Sequence, residues 1–235
     1  MKNFKFDPVE HVYTLDDKPL RGTTTVLKVI NKPMLIPWAV KTCGDYILQN
    51  WEDRVYTTKE KEEFVKEAKR QHTKKKEDAG VAGTDVHALI EEVIKEAIEK
   101  SQGMIVEECK HNGQVKLFWD WATQNSVKFL ASEQQLYSET HWYAGTADFI
   151  CEIGGKLYVG DVKTSSGIYP EHFIQASAYA MGLVEMGLYE QFGGVIVVNV
   201  PKAGGISVRE NYDVGGNFDA FRACLTLTKQ LEAIK

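Results

Sequence analysis

The residues with the clearest chemical potential fall in GTADFICEIGGKLYVGDVKTS, residues 145–165, which holds Asp148, Asp161 and Lys163. Gly154-Gly155 separates two strand-like runs. Glycine tolerates the positive φ angles of a two-residue hairpin turn, so the pair predicts a tight hairpin. Counting outward from that turn, Ile153 faces Lys156 and Asp148 faces Asp161, with Cβ atoms expected roughly 4.5–5.5 Å apart. Lys163 lies two residues beyond Asp161 and shares its face. Like charges opposed across a hairpin destabilise it. A hard divalent cation such as Mg²⁺ or Mn²⁺ would compensate, and Lys163 would set a point charge beside it. The alternative is a solvated surface hairpin. Leu157 and Val159 share the face of Asp161 and favour a buried strand.

Other positions admit two readings. Gln175 and Tyr179 are one helical turn apart, placed to bond a phosphate or hold a carboxylate, or simply to be polar helix residues. His87, near the start of a long helix in GTDVHALIEE, is a candidate metal or phosphate ligand or a structural histidine. With no HExxH present, a zinc-protease site is not supported. Glu133, on the preceding strand, is either a third metal carboxylate or a solvent-facing residue. The run Lys69, Arg70, Lys74, Lys75 and Lys76 is either a solvated helix face or a track for a phosphate backbone.

The elements that must position these residues follow from periodicity. A small β-meander is expected over the first 22 residues, then helices over 37–50 and 59–78. A strongly amphipathic helix spans 84–100 and another 113–125. Strands follow at 127–137, 142–153 and 156–164. A helix opened by Pro170 runs to about Met186. A doubly covered strand at 195–200, a short strand near 206–212 and a helix near 217–234 end the chain. The core order is α-β-β-β-α-β, an α/β class with a mixed central sheet. The expected division is residues 1–80, an N-terminal β-hairpin and helical region covering the substrate, and 81–235, the core.

The chain's 235 residues, 43% hydrophobic and 26% charged, exclude disorder and suffice for a sizeable core. No apolar run approaches the ~20 residues that span a bilayer, and the N-terminus lacks a secretory pattern, so a cytoplasmic protein with no membrane partner is expected. Cys43, Cys109, Cys151 and Cys224 are scattered, with no CxxC pair for a zinc knuckle. The net charge of −5 does not advertise nucleic-acid binding, but a site rich in carboxylates is compatible with a local basic track.

Taken in order, the histidine of GTDVH, Asp148 in GTADF, the DVK triplet at 161–163 and QxxxY at 175–179 resemble the RecB-type branch of the PD-(D/E)xK nucleases. HVYTLDDKPLRGTTTVL at 11–27 is similar to the opening of phage and mitochondrial-type members. The convincing resemblance covers residues 80–200. It implies a restriction-endonuclease-like core and a Mg²⁺- or Mn²⁺-dependent deoxyribonuclease acting as an exonuclease on single-stranded DNA or DNA ends. An endonuclease with the same site and a non-catalytic nucleic-acid-binding module are the alternatives. The resemblance further implies Asp148 and Asp161 as metal ligands, Lys163 as catalytic, His87 as a metal or phosphate ligand, and Gln175 and Tyr179 as substrate-side supports. Some relatives hold an iron–sulfur cluster through one early cysteine and a late trio. The late trio is absent, so no cluster is expected.

Overall fold

The computed structural model describes residues 2–105, 109–111 and 113–234. It forms two compact units: residues up to Ile30 together with those from Val86 onward, and Asn31–Asp85. The first is α/β with a mixed central sheet. Its strands are β1 (Phe4–Asp7), β2 (Val12–Leu15), β3 (Lys18–Gly22), β4 (Lys128–Ser138), β5 (Tyr143–Ile153), β6 (Lys156–Lys163), β7 (Gly194–Asn199) and β8 (Ser207–Asn211). The helices are α1 (Thr23–Val26), α2 (Leu35–Asn50), α3 (Thr58–Ser101), α4 (Gly113–Gln124), α5 (Pro170–Glu185) and α6 (Val214–Ala233). The expected helices over 59–78 and 84–100 are one continuous α3. The β-meander, expected to belong with the N-terminal helices, instead joins the central sheet through β3.

The sheet runs β1-β2-β3-β5-β6-β7-β8, with β4 also on β5. Pairing is antiparallel except β3·β5 and β6·β7. Helix α5 is the crossover between the parallel strands β6 and β7, which cannot be joined by a tight turn. Helices cover both faces. Ile90, Val93 and Ile94 of α3 and Phe118 of α4 pack with Phe129, Phe149, Cys151, Tyr158, Val162, Ile196 and Val198. On the other face, α5 and α6 pack with Leu136, Tyr143, Ala147, Ile150, Val159 and Val195. Double coverage explains why residues 195–198 of β7 are apolar throughout rather than alternating.

Three glycines shape the β5–β6 hairpin. Gly154 and Gly155 take φ of 57° and 78° at the turn, as the sequence predicts. Further along, Gly160 faces Phe149 in register, and a Cβ at 160 would sit 2.0 Å from the Phe149 ring. Any side chain there would expel a fully buried aromatic whose burial contributes about 1.5–3 kcal/mol.

The second unit holds α2 and the first part of α3. Trp51, Tyr56 and Phe64 make mutual ring contacts at 5.2–6.4 Å, and Tyr46 joins through Phe64 at 5.7 Å. These rings therefore pack on one another, while Trp51 keeps 56% of its surface exposed. Among the described residues, no helix is long and apolar enough to cross a membrane.

Candidate active site

The site forms where one edge of β5 changes partner. Strand β4 pairs with β5 from Tyr143 to Glu152 and so occupies one edge along its length. The other edge is shared: β3 pairs with Tyr143 and Ala144, and β6 with Phe149 through Ile153. Residues 145–148 lie in the fork between them. Tyr143 and Ala147 point into the α5–α6 core, whereas Phe149 and Cys151 point into the α3–α4 core. Strict alternation would put 147 and 149 on one face, so the pleat slips by one residue around Asp148. Glu133, which the β4·β5 register skips opposite Asp148, has a φ of +48° at the same level.

The expected register is found, but it ends one step early. Pairing runs from Ile153↔Lys156 to Phe149↔Gly160, and Asp148 and Asp161 are not joined as a ladder pair. Instead, Asp148 Oδ2 accepts the Val162 N–H at 2.6 Å. Beyond Gly160, β6 keeps only its partner on the other side, pairing Asp161 with Val197 and Lys163 with Asn199. Two carboxylates opposed in a ladder repel, and opening the strands lets one of them take a backbone donor.

Asp161 is 1% exposed. Its Oδ1 accepts from Lys163 Nζ at 2.7 Å. Its Oδ2 lies 2.6 Å from the same ammonium but outside hydrogen-bonding geometry, and no other donor satisfies it among the described residues. Burial pushes the Asp161 carboxyl upward against the pull of Lys163, and Asp148 pushes it further. Desolvation alone would lower the Lys163 ammonium, but Asp161 and Asp148 outweigh it and hold the group above its ordinary value. Burial is the first cause for Asp161, and the charge of Asp148 raises both groups.

His87 approaches from α3, its Nδ1 3.8 Å from Asp148 Oδ2. From α5, Gln175 Nε2 donates to the Tyr179 hydroxyl at 2.5 Å. Burial raises the Tyr179 phenol first, the nearby Asp161 and Asp148 add to this, and hydrogen bonds from Thr23 and Gln175 oppose it. A Cβ at Gly145 would lie 2.4 Å from the Tyr179 ring and 3.0 Å from Thr23 Oγ1, so glycine lets α5 approach the fork. The Glu133 carboxyl is pushed up to about 7 by desolvation, then by Asp148 and Glu91, with Lys95 opposing. The residue as a whole remains exposed, so the neighbouring carboxylates are the firmer part of that shift.

The structure thus gathers Asp148, Asp161, Lys163, His87, Gln175 and Tyr179 at the fork, with Glu133 at its margin. The basic run lies apart from them in sequence, in the second unit. There Lys69 and Arg70 share a face of α3 with Lys61 and Lys66, Lys74 pairs with Glu67, and Lys75 and Lys76 are exposed. Four residues were not singled out from the sequence as site residues. Glu91 lies within electrostatic reach of Glu133, one turn beyond His87. His172 is buried on α5 within electrostatic reach of Asp161. Thr23 opens α1. Asn199 is 1% exposed, lies level with Lys163, and has an Oδ1 with no partner among the described residues. The one-turn spacing of His87 and Glu91 was a usable signal. The other three depend on pairings distant in sequence.

Among the described residues, no group of three or more His, Cys, Asp or Glu side chains is gathered to hold a metal. Mg²⁺ needs fewer protein ligands, since it keeps several waters and commonly takes one or two carboxylates. Asp148 and Asp161 meet that requirement, and the unsatisfied Asp161 Oδ2 is a buried hard-oxygen donor.

Glu133 provides a test of the crowding. Below its ordinary 4.5, the folded and unfolded states are both protonated. Between 4.5 and about 7, the folded protein keeps a proton that the unfolded chain has released, so stability falls as pH rises through that window. Glu133→Gln is therefore expected to match the wild-type melting temperature at pH 4 and exceed it by roughly 1–2 °C at pH 8, as read by calorimetry. Equal melting temperatures at both pH values would show that Glu133 does not feel the other carboxylates.

No family model matches the chain, and no curated protein does. Among solved structures, the crystal structure of SSO0001 is similar over 83% of this chain and 86% of that one, at 15% sequence identity and a TM-score of 0.30. A likeness at that level carries no argument about fold or function.

Proposed function

We propose that the protein is a Mg²⁺- or Mn²⁺-dependent deoxyribonuclease of the PD-(D/E)xK type, with a restriction-endonuclease-like core, hydrolysing phosphodiester bonds in single-stranded DNA or at DNA ends. The observation that carries this reading is the buried excess of negative charge at the fork: two carboxylates, one of their oxygens unsatisfied, face one lysine. A divalent cation bound there would activate water and neutralise a phosphate. Asp148 and Asp161 would hold it. Lys163, released from Asp161, would turn to the incoming phosphate, and the unpartnered Asn199 Oδ1 beside it can receive its ammonium. Gln175 restrains the Tyr179 hydroxyl on the substrate side. Lys69, Arg70, Lys74, Lys75 and Lys76 are assigned to the phosphate backbone.

The test is cleavage of end-labelled linear single strands, linear duplexes and covalently closed single-stranded circles, with Mg²⁺, Mn²⁺ or EDTA. Degradation of linear strands, dependent on either ion and sparing circles, is the expected result. Full activity in EDTA would sink the metal mechanism. Circles cut as fast as linear strands would make the enzyme an endonuclease. Neutralising several residues of the basic run should flatten the salt dependence of binding by roughly 0.7 log–log units per lost single-strand phosphate contact.

A further inference from the structure

A cleft of about 280 Å³ lies between the start of α5, strand β8 and the start of α6. Ile168, Phe173 and Ile174 form an apolar wall, and Arg209, Asn211 and Asn217 form a polar one. The polar wall is rich in donors. Arg209 makes no ion pair or hydrogen bond among the described residues. Asn211 Oδ1 is already occupied by the Asp213 N–H at 2.9 Å and Asn217 Nδ2 at 3.0 Å. That leaves the Asn211 amide NH₂ and one Asn217 N–H uncommitted. Among the described residues, no carboxylate lines the cleft.

Its position relates it to the fork. Asp161 pairs with Val197, and Val197 pairs with Arg209, so the three form one row across β6, β7 and β8. Residues paired across a ladder share a face, so Arg209 projects on the face of Asp161. Two inter-strand steps put their backbones about 10 Å apart. An arginine on an edge strand also blunts edge-to-edge pairing. That role requires neither a cleft with an aromatic wall nor alignment with the carboxylates.

We infer that this cleft is a nucleotide subsite, with Arg209 on a backbone phosphate near the cleaved bond and the attached base against Phe173. The inference rests on the proposed nuclease reading and names the part of the strand that the fork leaves unassigned. Guanidinium suits phosphate through its paired N–H donors, and an aromatic wall accepts any base.

The test uses the full chain in EDTA, so that nothing is cut, with dye-labelled hexathymidylate and a NaCl series followed by fluorescence anisotropy. Arg209→Gln is expected to weaken binding roughly fivefold to tenfold and to lower the log–log salt slope by about 0.7. Arg209→Lys should keep the slope. A single uncharged methylphosphonate walked along the strand should find one linkage that costs the wild type affinity and costs Arg209→Gln nothing more. An unchanged slope in Arg209→Gln, or a wild type with no such linkage, overturns the subsite. The two readings fail separately. A chain that never cleaves with Mg²⁺ or Mn²⁺, yet loses slope in Arg209→Gln, keeps the subsite and loses the nuclease. A chain that cleaves but shows no Arg209 effect does the reverse.

Discussion

Asp161→Asn is expected to reduce DNA cleavage by about 10³-fold or more while leaving the metal-free protein as stable as the wild type or slightly more so. The activity loss follows from removing one of two carboxylates proposed to hold the cation. A metal's stabilisation of developing charge is worth several kcal/mol, and each 1.4 kcal/mol is tenfold in rate. The stability follows from counting charges. Asp161, Asp148 and Lys163 carry a net −1 in a buried setting, and Asp161→Asn leaves one carboxylate and one ammonium. The isosteric amide also keeps an acceptor for Lys163 Nζ, so no void or unpaired cation is created. The comparison is single-turnover cleavage in Mg²⁺ and Mn²⁺ set beside melting in EDTA. Cleavage within tenfold of wild type would remove Asp161 from the metal site. A melting temperature lowered by more than about 4 °C, roughly 1–2 kcal/mol in a chain of this size, would show that the Asp161–Lys163 pair is chiefly structural.

Lys163→Ala should behave in the opposite way in the absence of metal. It leaves two carboxylates with no cation between them. Removing one partner of a buried ion pair typically costs about 3–5 kcal/mol. Lys163 and Asp148 each keep 20% of their side-chain surface in solvent, which places the expected loss nearer 2–3 kcal/mol. That corresponds to a melting temperature roughly 5–10 °C below wild type in EDTA. A divalent cation should then restore stability more in Lys163→Ala than in the wild type, because it replaces the missing positive charge as well as binding the carboxylates. Turnover should stay low even with metal, and DNA binding should change little, since the lysine is assigned to the reacting phosphate. Turnover near wild type would take Lys163 out of the catalytic set. A large loss of binding with unchanged turnover would recast it as a phosphate anchor. A melting temperature that metal raises equally in both proteins would refute the charge balance proposed for the fork.

The two variants separate contributions that the wild type combines. One removes negative charge and the other positive charge from the same pair, so a merely structural pair would lower stability in both. Only a site with an excess of buried carboxylate is expected to tolerate the first change and suffer from the second.

Much of this arrangement is determined by the sequence alone. The amphipathic period at the C-terminal end of α3, the Gly154-Gly155 turn, the Pro170 start of α5 and the apolar run of β7 place those features to within a few residues, although the period does not show that α3 is continuous from Thr58. They also place Asp161 and Lys163 on one face, and Gln175 and Tyr179 one turn apart, because strand and helix periods are local properties of the chain. What only the tertiary structure decided is where the hairpin stops being a hairpin. Periodicity carries the count past Gly160 to an Asp148–Asp161 pair, but the ladder ends at Phe149↔Gly160, and β3, from the N-terminus, pairs with the far end of the same β5 edge. The choice of strand partner is a long-range packing outcome with no local signature. The same is true of Asn199 beside Lys163, of His172 within electrostatic reach of Asp161, and of Arg209 in the row of Asp161. Residue type and spacing say which groups share a face of one element, whereas the order of strands in the sheet and the helices packed on it determine which groups from different elements meet.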